Sequence, residues 1–159
     1  MAQIVDILQK NLGDKIIDIE KVRDNRIYMR IAPEDVLEVI QYLFFDYKCR
    51  FVTATGLDTR EGIEIIYHLV KEECKMLINV KTLISYPELS IDSVGKKIPA
   101  FRWIEREIHE MLGVEFKGHP DQRRLLLADS FPKGKYPLRK DFKNSDISDE
   151  DYDYKRSGL

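Results

Sequence analysis

The sequence predicts an α+β two-layer domain, with helices packed on a mixed, mainly antiparallel sheet and an extended, irregular C-terminal tail. Three observations lead there. Runs rich in β-branched and aromatic residues come in succession, joined by short polar stretches of hairpin length. Segments with apolar residues at helical spacing lie before, between and after those runs. From Gly113 onward Gly, Pro and Lys dominate, and regular structure is expected to stop.

The elements follow in order. Ile4, Val5, Ile7, Leu8 and Leu12 form a helical stripe, with Gly13 placed as a C-cap. Residues 15–22 and 27–32 read as strands joined by a turn at Asp24-Asn25, a hairpin. Residues 32–47 read as a helix: Pro33 suits its first turn, Glu34 and Asp35 suit the positive end of its dipole, and Val36, Val39, Ile40, Leu43 and Phe44 make one apolar face. Strands are expected over 50–56, 62–70 and 75–84. The middle one alternates poorly, which marks a central strand covered on at least one face. A last helix spans 100–112, after Pro99 and before Gly113. At 100° per residue, Phe101, Ile104, Ile108, Met111 and Leu112 share an arc. Glu105 and Glu107 lie at its edges, and Arg106 and Glu110 face away. The expected division is a domain over 1–112 and a partner-binding tail of the same domain over 113–159.

The chain has 159 residues, 43% hydrophobic and 34% charged, which describes one globular domain with a charged exterior. No apolar run is long enough to span a bilayer, and the N-terminus lacks signal-peptide features, so the chain is expected inside the cell. Cys49 and Cys74 are too few and too far apart for an iron–sulfur or zinc pattern, and are expected as free, half-buried thiols. The net charge of −2 is unevenly spread. Residues 117–142 hold seven cations (Lys117, Arg123, Arg124, Lys133, Lys135, Arg139, Lys140) against three anions (Asp121, Asp129, Asp141), whereas 143–159 hold five acids and three bases. A basic segment on a balanced domain points to an anionic partner surface.

The stretch from Gly113 to Leu127 gathers His119, Asp121, Arg123 and Arg124 before three leucines. As an enzyme site, His119 would be a base oriented by Asp121, but Ser130 sits in no nucleophile motif. As a metal site, Glu105, His109, Glu110 and His119 do not follow HExxH spacing. The glycines precede no helix, so no phosphate loop is present, and the basic segment belongs to no recognised nucleic-acid module. Arginines beside leucines fit a protein interface best; the alternative is a tail that docks back on its own sheet.

Residues 103–127, followed by Tyr136-Pro-Leu-Arg-Lys-Asp-Phe142, resemble the 30-kDa subunit family of respiratory complex I. The matching signature is Glu105-Arg106-Glu107, Gly113, Phe116, Gly118-His119-Pro120-Asp121, Arg123-Arg124, Leu126 and Pro137-Leu138-Arg139-Lys140-Asp141. Residues 63–70 also resemble the family's strand ending in Tyr-His-Leu. His109-Glu110-Met111-Leu112 stands where complex I members carry aromatic-Asp-Met-aromatic, and this resembles related subunits of energy-converting membrane hydrogenases. The hydrogenase or ferredoxin-linked branch is therefore favoured over quinone-reducing complex I.

The resemblance implies a non-catalytic peripheral-arm subunit on the cytoplasmic side of a membrane, reaching it only through the complex. It implies no cofactor in this chain, with iron–sulfur clusters and a [NiFe] centre in partner subunits. The partners implied are the hydrogenase-like large (49-kDa-type) subunit and iron–sulfur subunits, and no nucleic acid. Glu105 and Glu107 are then expected to hold the tail or partner through Arg106, Arg123, Arg124 or Arg139, with His119-Pro120 fixing the turn that aims Arg123-Arg124. The competing readings are a stand-alone enzyme using His119 and Asp121, and a nucleic-acid-binding module.

Overall fold

The computed structural model describes residues 2–143, 145 and 147; the end of the expected tail, 148–159, lies outside the described residues. Three α-helices, α1 (Ala2–Leu12), α2 (Val36–Gln41) and α3 (Arg102–Leu112), accompany a five-stranded sheet. Its strands are β1 (Ile16–Arg23), β2 (Arg26–Ile31), β3 (Arg50–Asp58), β4 (Gly62–Lys71) and β5 (Met76–Ser85), in the order β1-β2-β5-β4-β3. Within this sheet only the β2–β5 pair is parallel. The chain leaves β2 through α2 and returns by the β3–β4–β5 meander, which brings β5 beside β2 in the same direction. The fold is the α+β architecture expected, and β4 is indeed interior to the sheet.

Register explains the layering. Side chains alternate across a strand, so Ile63, Ile65, Tyr67 and Leu69 stand opposite Ile84, Thr82, Val80 and Ile78, and Ile27 and Met29 continue the row on β2. These residues are buried. Val36, Val39, Ile40 and Leu43 are fully buried with them in one core, each such burial worth about 1.5–3 kcal/mol. The opposite face carries a set of polar pairs. There Thr55 Oγ1 meets His68 Nε2 at 3.0 Å, His68 Nδ1 meets Asn79 Oδ1 at 2.7 Å, and Lys81 pairs with Glu64 at 3.2 Å.

α3 lies against β3. A Cβ on Gly56 would stand 2.5 Å from Leu112 Cδ1, so glycine allows the helix its close approach. Phe101, just before α3, stacks on Phe51 with ring centroids 3.8 Å apart and also approaches Tyr67.

Four local expectations change. Gly13 is no left-handed cap; it opens a tight turn closed by Ile16 N–H on Gly13 O. The helix expected over 32–47 is a tight turn, α2, and a wide final turn at Tyr42–Asp46 in which Tyr47 N–H returns to Tyr42 O at 2.8 Å. Cys49 is buried and Cys74 exposed, and burial pushes the Cys49 thiol up to about 12. Regular structure also continues past Gly113: β6 (Ser90–Asp92) pairs in parallel with β7 (Glu115–Lys117) as a second, two-stranded sheet. Three-residue strands carry too little periodicity to be read from sequence.

Candidate functional site

The signature residues converge on α3, which ties one loop before it and the whole tail after it. Pro99 opens the helix, and Gly113 closes it with φ 75° and an N–H to His109 O at 2.8 Å. A Cβ at Gly113 would stand 2.5 Å from the Tyr136 ring and 2.6 Å from Arg139 Nη2, so glycine there is demanded by conformation and by space.

Glu105 is 1% exposed. Its carboxylate accepts Ser93 Oγ–H at 2.5 Å, Val94 N–H at 2.7 Å and Gly95 N–H at 3.1 Å. Burial pushes its pKa up to about 7, against the opposing pull of those hydrogen bonds and of Lys96. The expectation that Glu105 pairs with an arginine is therefore corrected: the Ser93 hydroxyl and the backbone N–H groups of Val94 and Gly95 supply its donors. Glu107 is exposed, and among the described residues it holds neither the tail nor the loop.

His119 is buried beside Glu105, with Nε2 3.8 Å from Oε2. Its Nε2 faces Arg102 O at 3.1 Å, and Asp121 N–H donates to Nδ1 at 3.0 Å. These partners place the ring hydrogen on Nε2 and occupy the lone pair a general base would need. The Asp121 carboxylate turns instead to Arg123, which grips it at 2.9 and 2.8 Å. Arg123 hydrogen bonds hold the Asp121 pKa well below the usual carboxylate range. The base-and-carboxylate pair of the enzyme reading is not assembled. No cluster of three or more His, Cys, Asp or Glu suited to a metal occurs among the described residues.

The tail is held from the other flank of α3. Glu110, 8% exposed, accepts the N–H groups of Leu125, Leu126 and Leu127 at 3.2, 2.7 and 3.2 Å. Arg106 donates to Arg123 O at 3.0 and 2.7 Å and to Arg124 O at 2.7 Å, reaches Asp121 at 3.3 Å, and lies over Trp103. Arg124 turns inward to Ala128 O and Phe131 O. Arg139 caps the end of α3 through Leu112 O at 2.7 Å and stacks on Tyr136. Leu138 N–H meets Met111 O, and Lys140 N–H meets Asp58. Phe116 is buried in β7, Gly118 has φ 76°, and Pro120 sits in the turn between His119 and Asp121. Pro137 is half-buried, and Asp141 lines a wide cleft under Tyr136.

Three large apolar side chains remain outward here. Trp103 is 67% exposed, and Leu126 and Leu138 are each 61% exposed. Trp103 stands in the first turn of α3, Leu126 is tied at Glu110, and Leu138 is tied at the last turn. The sequence reading did not single out Trp103, and it weighed Glu110 only as a metal ligand and not as a tie to the tail. The available signal was spacing: seven residues apart, with Arg106 between them, they share the flank opposite the apolar arc.

Residues 29–148 match the family described as respiratory-chain NADH dehydrogenase, 30 Kd subunit. The chain belongs to this family. The C subunit of NADH-quinone oxidoreductase from Mesorhizobium japonicum is 30% identical over 96% of this chain and 79% of its own length. Hydrogenase-4 component G of Escherichia coli is 32% identical over 87% of this chain, which spans only 26% of that longer protein. Both branches weighed from the sequence are thus represented at similar identity. Among solved structures, a chain of the membrane-bound sulfane sulfur reductase, an archaeal respiratory membrane complex, matches in fold with a TM-score of 0.80 at 24% identity, covering 90% of this chain and 85% of that one. A trypsin-resistant fragment of Nqo5 matches with a TM-score of 0.63 at 18% identity, covering 76% of this chain and 99% of the fragment. Family members are subunits of respiratory and hydrogenase-type complexes. No helix among the described residues is long and apolar enough to cross a membrane.

Proposed function

We propose that this chain is a non-catalytic, peripheral subunit of a membrane-associated, ion-translocating oxidoreductase complex, and that the strapped flank of α3 docks on the hydrogenase-like large subunit. Family membership supports the subunit role. The observation that carries the docking surface is exposed Trp103 on α3 together with exposed Leu126 and Leu138 on a tail whose backbone is already fixed by Glu110, Arg106 and Arg139. Exposed tryptophan beside arginine is the composition of interface hot spots. A tail fixed before binding loses less conformational freedom on docking. In this reading the redox chemistry, with its iron–sulfur clusters and any [NiFe] centre, belongs to the partner subunits. Arg123, its side chain 84% exposed, faces the partner, whereas Arg124 shapes the tail from within.

Co-purification of the complex tests this. Trp103→Asp should lower recovery of the large subunit with this chain at least about ten-fold, the loss expected for a hot-spot residue, while circular dichroism of the chain stays unchanged. Full recovery with the variant would refute the docking surface.

A further inference from the structure

We propose that Asp58 is a positioning residue for the docking surface: it fixes the signature turn 136–142, and with it Leu138, against the end of β3. This deepens the docking reading and rests on it. Asp58 lies 82 positions before Lys140 and belongs to none of the signature segments. Its two carboxylate oxygens have separate tasks. Oδ2 accepts Lys140 N–H at 2.8 Å, and Oδ1 accepts Tyr86 O–H at 2.8 Å.

One anchor fixes a point, and two fix a direction. Leu138 N–H is tied to Met111 O at 3.1 Å, in the last turn of α3. Alone, that tie leaves the turn free to pivot about the helix. The Lys140 tie lies two residues further on and comes from the sheet, so Leu138, 61% exposed, projects from a backbone held by two elements. Arg139 N–H to Tyr136 O and Phe142 N–H to Arg139 O make the turn one unit, so fixing either end orients all of it.

The end of β3 is itself closed by hydrogen bonds. Thr59 N–H and Thr59 Oγ1–H both reach Gly62 O, at 2.8 and 2.7 Å, and so close the β3–β4 turn. Tyr86 N–H donates to Glu61 O at 3.1 Å, which ties the residue that orients the Asp58 carboxylate to the same turn. Partial burial, and then the Asp58 hydrogen bond, push the Tyr86 hydroxyl above its ordinary value, and the Arg139 charge opposes them. Tyr86 and Arg139 also line the same wide cleft under Tyr136. A surface shaped in this way before binding loses less freedom on docking.

The test compares full-length variants, alone and in the complex. Asp58→Ala should lower recovery of the large subunit on co-purification about three- to ten-fold and speed amide exchange at Leu138 and Lys140 by a similar factor, with the urea midpoint unchanged. Asp58→Asn should keep recovery within about two-fold, because its oxygen still accepts Lys140 N–H and its amide N–H can donate to the Tyr86 hydroxyl. Unchanged exchange at Lys140 in Asp58→Ala overturns the proposal, since the turn is then held elsewhere. Loss of recovery in Asp58→Asn equal to that in Asp58→Ala also overturns it, since the charge and not the clamp then matters. The two readings separate in the complex. If Trp103→Asp prevents assembly while Asp58→Ala speeds exchange and assembles fully, the docking surface stands and Asp58 only stabilises the tail. If neither variant affects assembly, both readings fall.

Discussion

Glu105 and Glu110 stand five positions apart on α3, and each carboxylate accepts backbone N–H groups from a segment outside the helix. Glu105 holds the loop at Ser93–Gly95, where Ser93 and Val94 are fully buried. Glu110 holds Leu125–Leu127, which lie half-buried or exposed on the surface. The chemistry is the same and the consequence differs. Water can replace a carboxylate at the surface, but not in the core, where an unpaired donor costs about 1–3 kcal/mol. Glu105 is therefore bound up with the stability of the domain, and Glu110 with the order of the tail.

The largest test breaks the inner tie. Glu105→Ala strands three buried donors and opens a void, and should cost about 3–5 kcal/mol in global stability, read as a lower urea midpoint. A loss under about 1 kcal/mol would mean the loop is held by other contacts.

A second test uses the pKa. The ordinary carboxyl value is 4.5 and the folded value about 7, so the native state favours the protonated form. Stability from this group is fully present below the unfolded value and is lost as pH rises through about 7. Lys96, Tyr67 and His119 are the other ionisable groups acting on or lying beside Glu105, and Lys96 opposes the shift. Glu105→Gln keeps the shape and removes the titration. Relative to this variant, the native chain should lose up to about 3 kcal/mol between about pH 5 and about pH 8, measured by urea denaturation across that range. Parallel pH profiles for the two proteins would sink the assignment.

How much of this was legible in the sequence follows from which forces act locally. Period and turn chemistry revealed β1 to β5 and the apolar arc of α3, because these are set by neighbours three or four residues away on a helix and two away on a strand. The signature residues from Glu105 to Asp141 carried the family. The partner of each charge was not legible. Glu105 sits at the edge of the apolar arc, where a helical wheel cannot tell an exposed acid from one buried against a loop ten or more residues earlier. Glu110 faces away from the sheet, as the wheel places it, yet is buried because the tail crosses it. Long-range closure of that kind, like the β6–β7 pairing, depends on tertiary packing and leaves no periodic trace.

The smallest expected effect isolates the outer tie. Glu110→Ala removes the acceptor for three N–H groups that surface water can then reach, so the global urea midpoint should move by less than about 1 kcal/mol. The tail, however, should open more often. The bonds after Arg123 and Arg124 lie just before the released leucines and are tryptic sites. Native-state cleavage there tracks the open population, so a local loss of about 1–2 kcal/mol should speed it by roughly five- to thirty-fold. The same variant leaves Glu105 untouched, and the pH profile should keep its slope. If cleavage is unchanged, Arg106 and Arg139 suffice to hold the tail. If the pH slope changes as well, the two carboxylates are coupled through α3, and the division into an inner and an outer tie is wrong.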